Sequence, residues 1–459
     1  MWIRTGMCAV FFASVLLAGC GTGGDENYEI NAIENPYNTG GVMLQGFSWE
    51  SWKSSSWWNV IQNNAEEIGN NFEYVWLPPC SDSNSEQGYL PRVLYDFDTE
   101  YGTENQLKAA IQAISPAKAL ADVVINHRCG TTSWGDFTAP TFGTVKGEDY
   151  RAICSDDEGF SSEPKFMGKV PATMRGAKDT GEKYAAGRDL DHTNAAVQQG
   201  IIEYMERLQT LGFAGWRYDF VKGYAGRFVG MYNKATGPVF SVGEYWPTSG
   251  YSASKPAAWG NEIKNWVNET AADGGVYSCA FDFALKGAMN TVFGNKSSNI
   301  ANSKYNLLAD ESNLMICNPE AAVTFVDNHD TGSTQRHWYL DPADVGAAYV
   351  LILTHPGVPC VAWQHYFPGV SDSVCEKNVP GTTQNLHDHI QYLIALRKSL
   401  GITNTSALEN LSKTPSLYAA HITGTNGEAV VSLGKSNYPC PDGWSAVYSG
   451  TGWIIYTKQ

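Results

Sequence analysis

Short apolar runs alternate with segments of helical period along most of this 459-residue chain. Runs rich in β-branched and aromatic residues predict eight strands, at 42–47, 74–77, 120–125, 214–218, 239–242, 278–281, 322–326 and 357–363. Apolar residues three and four positions apart predict helices at 57–68, 104–114, 195–211, 224–232, 262–270, 283–290, 344–354 and 385–399. Strand-then-helix order repeated eight times predicts an α/β fold, a parallel (β/α)8 TIM barrel.

Two segments interrupt this alternation. Residues 127–187 carry Gly, Asp and Cys without helical period, which predicts a subdomain inserted after the third strand. Past residue 401 the pattern changes to short alternating segments, at 417–422, 429–433, 444–448 and 453–456. Such alternation predicts a small C-terminal antiparallel β domain over 403–459. The barrel would then comprise 41–126 and 188–402.

The N-terminus has the pattern of an export signal. Arg4 precedes an apolar run that is shorter than the ~20 residues of a membrane span, which predicts a signal peptide over 1–19. Leu17-Ala18-Gly19-Cys20 resembles a bacterial lipobox, in which Cys20 would be lipidated and 20–40 would form a flexible tether. The alternative is an ordinary cleavage site with an incidental cysteine. We expect an outer-membrane or cell-surface lipoprotein, otherwise a secreted or periplasmic protein, with membrane contact only through Cys20.

Composition narrows the ligand class. The chain has 31 Lys and Arg against 47 Asp and Glu, a net charge of −16, so nucleic acid is not an expected partner. Aromatic residues reach 12%, which suits uncharged, hydroxyl-rich ligands, although an aromatic core would give the same figure. Export makes disulfides plausible for the eight cysteines from Cys80 to Cys440, without specifying their pairing. No oligomeric interface is indicated, so a monomer is the default expectation.

Ionisable residues cluster where four predicted strands end. They are Asp122 with Asn126 and His127, Arg217 with Asp219, Glu244, and the Asp-Asn-His-Asp run of 327–330. In a (β/α)8 barrel these ends face the active site. A single carboxylate at such a position could belong to a salt bridge or cap a helix. Ionisable residues at four strand ends together predict a catalytic group.

The residue types indicate a reaction class. The sequence has no GxSxG, P-loop, GxGxxG or HExxH motif, so acyl, phosphoryl and hydride transfer lose support. Paired carboxylates without a nucleophilic Ser or Cys favour glycosidic cleavage, in which one carboxylate attacks and one carboxylic acid donates a proton.

Four ordered blocks then carry a family resemblance: DVVINH at 122–127, GWRYDFVKG at 215–223, GEYW at 243–246 and FVDNHDTGS at 325–333. The sequence resembles the alpha-amylase family (glycoside hydrolase family 13), most of all plant alpha-amylases and bacterial maltotetraose-forming amylases. The resemblance runs from about residue 42 to residue 401. It implies a retaining alpha-amylase that cuts α-1,4 bonds within starch, glycogen and maltooligosaccharides.

Roles for individual residues follow from this resemblance. Asp219 would be the nucleophile, Glu244 the acid and base in turn, and Asp330 a third carboxylate that binds and distorts the sugar ring. Arg217, two residues before Asp219 on one strand, would point the same way and keep that carboxylate ionised. The residues that would bind substrate, besides Arg217, are Tyr89, His127, Lys222 and His329.

The resemblance also implies a bound Ca²⁺ that joins the inserted subdomain to the barrel. The implied ligands are Asn126, Asp189 and the backbone carbonyl of Gly223, with Asp157 and Asp179 as further acidic ligands. Any single loop Asp could instead be a turn former. Lys183 stands where plant relatives have an acidic residue, which puts any second or third calcium in doubt.

Three alternatives stay open. Within the family, an exo-acting maltooligosaccharide-forming amylase or a glucanotransferase would use the same carboxylates, because loop shape decides between them. A non-catalytic starch-binding lipoprotein belongs to a different class, and the presence of Asp219, Glu244 and Asp330 argues against it. Trp57 and Trp58 begin a predicted helix, where we expect them to pack in the core rather than to form a surface starch site.

Overall fold

Eight parallel strands close into a barrel in the computed structural model, which describes residues 37–162, 167–294 and 302–458. The strands are Met43–Gln45, Tyr74–Leu77, Lys118–Val123, Gly215–Tyr218, Ser241–Gly243, Cys279–Phe281, Ala322–Phe325 and Val358–Ala362. Each pairs with its neighbours in chain order, and the first also pairs with the eighth. The predicted (β/α)8 barrel is therefore confirmed, and every strand overlaps its predicted segment.

The barrel strands are apolar because helices cover them from outside while side chains fill the inside. All of their residues are buried except Lys118, at the start of the third strand. A continuous apolar run is consequently the sequence signal of such a strand. The observed strands are mostly a residue or two shorter than predicted, because the terminal apolar residues pack without joining the ladder.

Helices surround the barrel, and their ends follow the capping residues. The principal ones are Trp57–Asn63, Ala65–Asn71, Glu104–Ala113, Ala195–Leu211, Gly226–Thr236, Ala257–Thr270, Phe283–Phe293, Pro342–Thr354 and Leu386–Leu400, with short turns at Gly159–Ser162, Leu314–Cys317 and Trp363–Tyr366. Thr103 and Gln106 form a reciprocal capping box at one N-terminus, and Gly212 ends another helix at φ 110°. The helix predicted at 57–68 is two helices, because Asn64 leaves the helical region at φ −107°, ψ 9°.

Trp57 and Trp58 are fully buried, at 1% and 0% exposure, which confirms that they pack in the core. The eight cysteines from Cys80 to Cys440 are all free thiols, so the disulfides that the predicted export made plausible are not formed in this structure. Within the described part of the chain, no helix has both the length and the apolar character needed to cross a bilayer.

Residues 127–187 form a segment inserted between the third and fourth barrel strands, and its two ends lie next to each other. His127–Arg128 pairs antiparallel with Arg188–Asp189, so the two ends of this inserted segment meet directly after the third strand. Its interior is mostly irregular, as the absence of helical period predicts. The buried Arg128 donates to the carbonyl oxygens of Arg92, Thr138 and Pro140, which ties the start of the inserted segment to neighbouring loops.

The C-terminal part is a five-stranded antiparallel sheet, as predicted. Its strands are Ala407–Thr414, Leu417–Thr423, Glu428–Gly434, Trp444–Gly450 and Trp453–Lys458. Prediction missed Ala407–Thr414, an edge strand whose mixed exposure gives no apolar alternation. A buried hydrogen bond of 2.8 Å between His355 Nε2 and the Tyr418 hydroxyl joins the sheet to the barrel.

Tyr37 and the residues that follow it belong to one compact unit, Ala32–Gln459. The predicted signal peptide, Cys20 and the tether up to residue 36 lie outside the described residues.

Candidate active site

Arg217 lies at the centre of the carboxyl ends of the barrel strands and is fully buried. Its Nη1 is 2.7 Å from Asp122 Oδ1 and 2.7 Å from Asp219 Oδ1, and its Nη2 is 2.7 Å from Glu244 Oε2. The guanidinium also lies over the Trp76 ring, 4.6 Å from its centroid. One cation thus joins three carboxylates from three neighbouring strands.

Strand register explains this convergence. Asp122, Arg217 and Val242 are partners across the third, fourth and fifth strands, so their side chains form one layer. Asp219 and Glu244 each follow that layer by two residues and point the same way. Their backbone amides continue the ladder by donating to the carbonyls of Val123 and Tyr218. The two carboxylates are therefore placed by backbone that is itself hydrogen-bonded.

The contacts of Arg217 with Asp219 and with Glu244 differ in kind. Asp219 Oδ1 accepts a hydrogen bond from Nη1, whereas the contact of Nη2 with Glu244 is an ion pair without hydrogen-bond alignment. The backbone N–H of Phe220 donates weakly to Glu244, at 3.4 Å. Since hydrogen bonds to a carboxylate favour its charged form, Asp219 is the better stabilised anion.

Burial is the main cause that raises the pKa of both Asp219 and Glu244, and Arg217 opposes it. The charges of Asp219 and Asp330 raise the pKa of Glu244 further. Three carboxylates around one guanidinium leave excess negative charge, which a proton on one carboxyl relieves. The hydrogen bond to Asp219 assigns that proton to Glu244, so the pair combines a nucleophile with an acid.

Asp122 is a residue to which sequence reasoning assigned no role. It accepts hydrogen bonds from Trp76 Nε1 and the Tyr89 hydroxyl, both 2.9 Å long, as well as from Arg217. Its carboxylate consequently orients both Arg217 and the predicted substrate-binding Tyr89. The signal for it was present in the sequence, because Asp122 opens the first of the four blocks.

A stack of flat rings forms one wall of the site. Tyr89 lies parallel to His329 at 5.3 Å, and Trp49 lies parallel to both at 6.0–6.1 Å. Gln45 Nε2 donates to His329 Nδ1 at 2.8 Å, which leaves the proton on Nε2, 3.3 Å from Asp330 Oδ2. Burial lowers the pKa of His329 to about 4, so this imidazole is a neutral donor. Gln45, the last residue of the first strand, and Trp49, four residues later, were not identified from the sequence.

His127 lies on another side of the site. Its Nε2 donates to the Tyr89 carbonyl at 2.8 Å, and burial lowers its pKa to about 4. Tyr184 from the inserted segment stacks on the imidazole at 3.9 Å. No sequence pattern marks Tyr184, because its contact depends on how the inserted segment folds back over the barrel.

An open cleft of about 560 Å³ begins at Glu244 and Asp330. Phe220, Lys222, Trp246, Tyr251, Trp259, His337 and Trp338 also line it. Lys222 Nζ donates to Thr248 Oγ1 at 2.6 Å and lies 3.4 Å from Glu182. Aromatic faces together with a few charged groups suit sugar rings, which present apolar faces and hydroxyl edges.

An acidic cluster lies where the inserted segment meets the barrel. Carboxylate oxygens of Asp157, Glu158 and Asp189 are all within 4.8 Å of one another. Asp189 Oδ1 and Asp179 Oδ2 are buried with no hydrogen-bond partner among the described residues. Burial together with the charges of Asp157 and Asp179 raises the pKa of Asp189 to about 8. Unpaired, mutually repelling carboxylate oxygens fit a hard divalent cation.

The other predicted ligands lie close to this cluster or are already engaged. Asn126 directly precedes His127, which pairs with Asp189. The side chain of Asn126 lies against Gly223, so closely that a Cβ added to this glycine would be 2.0 Å from Asn126 Oδ1. Asp157 accepts from Arg188, from the N–H of Gly159 and from the N–H of Asp189. Its oxygens are therefore already bound within the protein. Glu158 was not predicted from the sequence.

Comparison with known proteins agrees with this geometry. The family model for the alpha-amylase catalytic domain matches residues 66–364. A probable alpha-amylase 2 of Arabidopsis thaliana is 33% identical over 91% of this chain and 94% of its own length. The chloroplastic alpha-amylase 3 of the same plant is 31% identical over 90% of this chain, which spans only 44% of that longer protein.

Two further comparisons concern specificity and fold. A glucan 1,4-alpha-maltotetraohydrolase of Stutzerimonas stutzeri is 28% identical over 85% of this chain and 68% of its own length. The alpha-amylase of Geobacillus thermoleovorans, solved in complex with acarbose, superposes with a TM-score of 0.62 at 14% identity, covering 91% of this chain and 98% of that one. At that identity the structural match supports the fold alone.

Replacing Arg217 with Met should make stability fall more steeply with rising pH than it does in the wild type. Without the guanidinium, the buried carboxyls have folded-state pKa values further above their unfolded values. The folded protein then binds more protons, so stability is retained below about pH 4 and lost as pH rises towards the raised pKa values. Urea unfolding should show a loss of about 3–5 kcal/mol at pH 8 and a smaller loss at pH 5. The control Arg92→Met removes a partly exposed guanidinium that pairs with Asp82 alone, and equal losses at both pH values in Arg217→Met would contradict this account.

Proposed function

The chain belongs to the alpha-amylase family, and from its carboxylate geometry we propose that it is a retaining alpha-amylase that hydrolyses internal α-1,4-glucosidic bonds of starch, glycogen and maltooligosaccharides. The observation that carries this proposal is the asymmetry at Arg217. The guanidinium donates a hydrogen bond to Asp219, while Glu244 lies beside it with a raised pKa. Glycoside hydrolysis with retention needs such a pair, an ionised nucleophile and a protonated acid.

The reaction proceeds in two displacements. Asp219 attacks the anomeric carbon as Glu244 protonates the departing glycosidic oxygen, which leaves a glucosyl ester on Asp219. Glu244, now a carboxylate, takes a proton from water, and the hydroxide attacks the same carbon and releases Asp219. Each cycle consumes one water molecule and restores both carboxyl groups.

The surrounding residues bind and orient the sugar. The neutral Nε2–H of His329 can donate to a hydroxyl, and Asp330, partly exposed at the cleft, can accept from one. The ring stack of Tyr89, His329 and Trp49 supplies a rigid wall, and His127 lies next to Tyr89, to whose carbonyl it donates. Lys222 lines the cleft beyond Glu244, where the departing part of the chain would lie.

An exo-acting, maltooligosaccharide-forming enzyme is the second candidate. The supporting observation is the 28% identity to a maltotetraose-forming hydrolase. The two activities share the carboxylates and differ in whether one end of the cleft is blocked. The size distribution of early products separates them, because internal cutting gives a broad mixture and end-directed cutting gives one dominant length.

Calcium is proposed as a structural ion at the junction of the inserted segment. The ion would be held by Asp189, Asp179, Asn126 and the Gly223 carbonyl. The supporting observation is that Asp189 Oδ1 and Asp179 Oδ2 are buried without hydrogen-bond partners among the described residues. Asp157 and Glu158 lie in the same acidic group. When bound, Ca²⁺ would neutralise these carboxylates and secure the inserted segment that carries Tyr184. No step of bond cleavage needs it.

Export and lipid anchoring are proposed from the N-terminal sequence. The apolar run followed by Leu17-Ala18-Gly19-Cys20 supports cleavage before Cys20 and lipidation of its thiol. The catalytic part would then act on glucan outside the cell while tethered to a membrane.

Asp219→Asn should lower kcat on soluble starch by about 10⁴-fold or more, because an amide cannot form the glycosyl ester. Reducing ends should be measured, and the anomeric form of fresh products read by NMR, with α products expected from the wild type. Asp273→Asn is a matched control, because Asp273 is an exposed carboxylate that precedes the sixth strand, at the opposite end of the barrel. β-Anomeric products, or an Asp219→Asn variant of normal rate, would refute the mechanism.

Calcium removal should lower thermal stability. At a calcium concentration 100 times Kd the ion would add about 2.7 kcal/mol, so chelation should reduce Tm and calcium should restore it. Asp189→Asn should abolish this response, because it removes a buried, unpartnered carboxylate. Asp149→Asn in the same inserted segment should keep it, since Asp149 pairs with Arg151 at the surface. An identical Tm with chelator and with calcium would overturn the site.

Expression of the full chain in a bacterium with a lipoprotein pathway should place activity in the membrane fraction. Cys20→Ala should release it into the soluble exported fraction, because no thiol remains to carry lipid. Cys8→Ala, within the predicted signal peptide, is the control and should leave the distribution unchanged. Labelling with a radioactive fatty acid gives an independent measurement, and an unlabelled wild type would exclude the anchor.

A further inference from the structure

Another buried cation, Lys286, lies outside the catalytic centre. Lys286, on helix Phe283–Phe293, has a fully buried side chain. Its Nζ donates to Asp327 Oδ1 at 2.7 Å and to Asn290 Oδ1 at 2.7 Å. Burying an ammonium group costs free energy unless its hydrogen bonds are satisfied. The mechanism above does not use Lys286.

The two partners of Lys286 hold one loop at both ends. Asp327, which follows the seventh barrel strand, accepts from Thr331 Oγ1 at 3.2 Å and from the backbone N–H of Leu340 at 3.1 Å. Asn290 Nδ2 donates to the carbonyl of Trp338 at 2.9 Å. The start and the end of the 331–340 loop are therefore tied to side chains that Lys286 itself orients.

This loop forms part of the cleft. His337 and Trp338 line it together with Asp330 and Glu244. Trp338 packs against Trp259, with ring centroids 5.5 Å apart, and against Tyr251 at 6.1 Å. The Lys286 ammonium lies 5.7 Å from the Trp338 ring. Moving the loop would displace an aromatic wall rather than the reacting carboxylates.

We propose that Lys286 is a positioning residue which, through Asp327 and Asn290, holds the 331–340 loop so that Trp338 presents a sugar-binding wall beyond the cleaved bond. The inference rests on the proposed function, because it assigns the wall to the same substrate. Asp330 has an anchor outside the loop, since its N–H donates to Asn328 Oδ1 at 3.0 Å. Among the described residues, the loop hydrogen-bonds to Asp330 only at the backbone, where the His337 N–H donates to the Asp330 carbonyl at 3.1 Å. Loosening the loop should accordingly weaken substrate binding more than it slows chemistry.

Asn290→Leu tests the proposal without burying an uncompensated charge. It removes the hydrogen bond to the Trp338 carbonyl and one acceptor of Lys286. KM for maltoheptaose should rise about tenfold while kcat changes by less than about threefold, the pattern of lost uniform binding. Thr291→Val on the same helix is the control, because the Thr291 hydroxyl bonds only within its helix, to the Gly287 carbonyl.

Lys286→Met should show a larger rise in KM, and Lys286→Met combined with Asp327→Asn should recover part of it by removing the unpaired carboxylate. Hydrogen exchange followed by mass spectrometry provides a readout independent of turnover. Amides of 331–340 should exchange faster in Asn290→Leu than in the wild type or Thr291→Val. A merely structural pair would lower Tm and leave KM and the exchange of this loop unchanged.

The outcomes separate the two proposals. If the wild type hydrolyses starch and Asn290→Leu changes neither KM nor loop exchange, the positioning role is wrong and the proposed function stands. If the wild type hydrolyses no glucan, the proposed function fails. The dissociation constant of maltoheptaose, from tryptophan fluorescence, then takes the place of KM, and an equal constant in Asn290→Leu and wild type overturns the positioning role as well.

Discussion

One guanidinium surrounded by three buried carboxylates is the constraint on which the rest of this site depends. Taking Arg217 and its partners out of water costs free energy that their mutual attraction must offset. Asp122 achieves this with additional hydrogen bonds from Trp76 and Tyr89, whereas Glu244 has only its contact with Arg217 and a weak, 3.4 Å hydrogen bond from the Phe220 N–H. This incomplete compensation is functional, because it raises the pKa of Glu244 while Asp219 is held as an anion.

The barrel makes this arrangement possible by geometry rather than by local sequence. Neighbouring parallel strands place Asp122, Arg217 and Val242 in one layer, and Asp219 and Glu244 in the next. Backbone hydrogen bonds continue through both reacting residues, so their positions inherit the rigidity of the sheet. Such preorganised charges need little rearrangement when charge develops in the transition state.

Buried ion pairs recur where loops must be held against the barrel. Asp157 with Arg188 secures the inserted segment that carries Tyr184, and Lys286 with Asp327 secures the loop that carries Trp338. Replacing such pairs with apolar residues is often neutral for stability in other proteins. Their value here lies in specifying one loop position, because each partner accepts or donates several directional hydrogen bonds. The cleft walls are in this way tied to the same scaffold as its carboxylates.

The amino-acid sequence by itself determined the order of strands and helices and the strand ends that carry Asp219, Glu244 and Asp330. It could do so because strands covered on both faces must be apolar throughout, so the polar residues that follow them are conspicuous. Only the tertiary structure decided that Arg217 serves three carboxylates, that Gln45 orients His329, and that Lys286 reaches Asp327. Arg217 and Asp122 are 95 residues apart in the chain, Gln45 and His329 are 284 apart, and Lys286 and Asp327 are 41 apart. No local pattern encodes such contacts, because barrel closure and loop packing bring the side chains together.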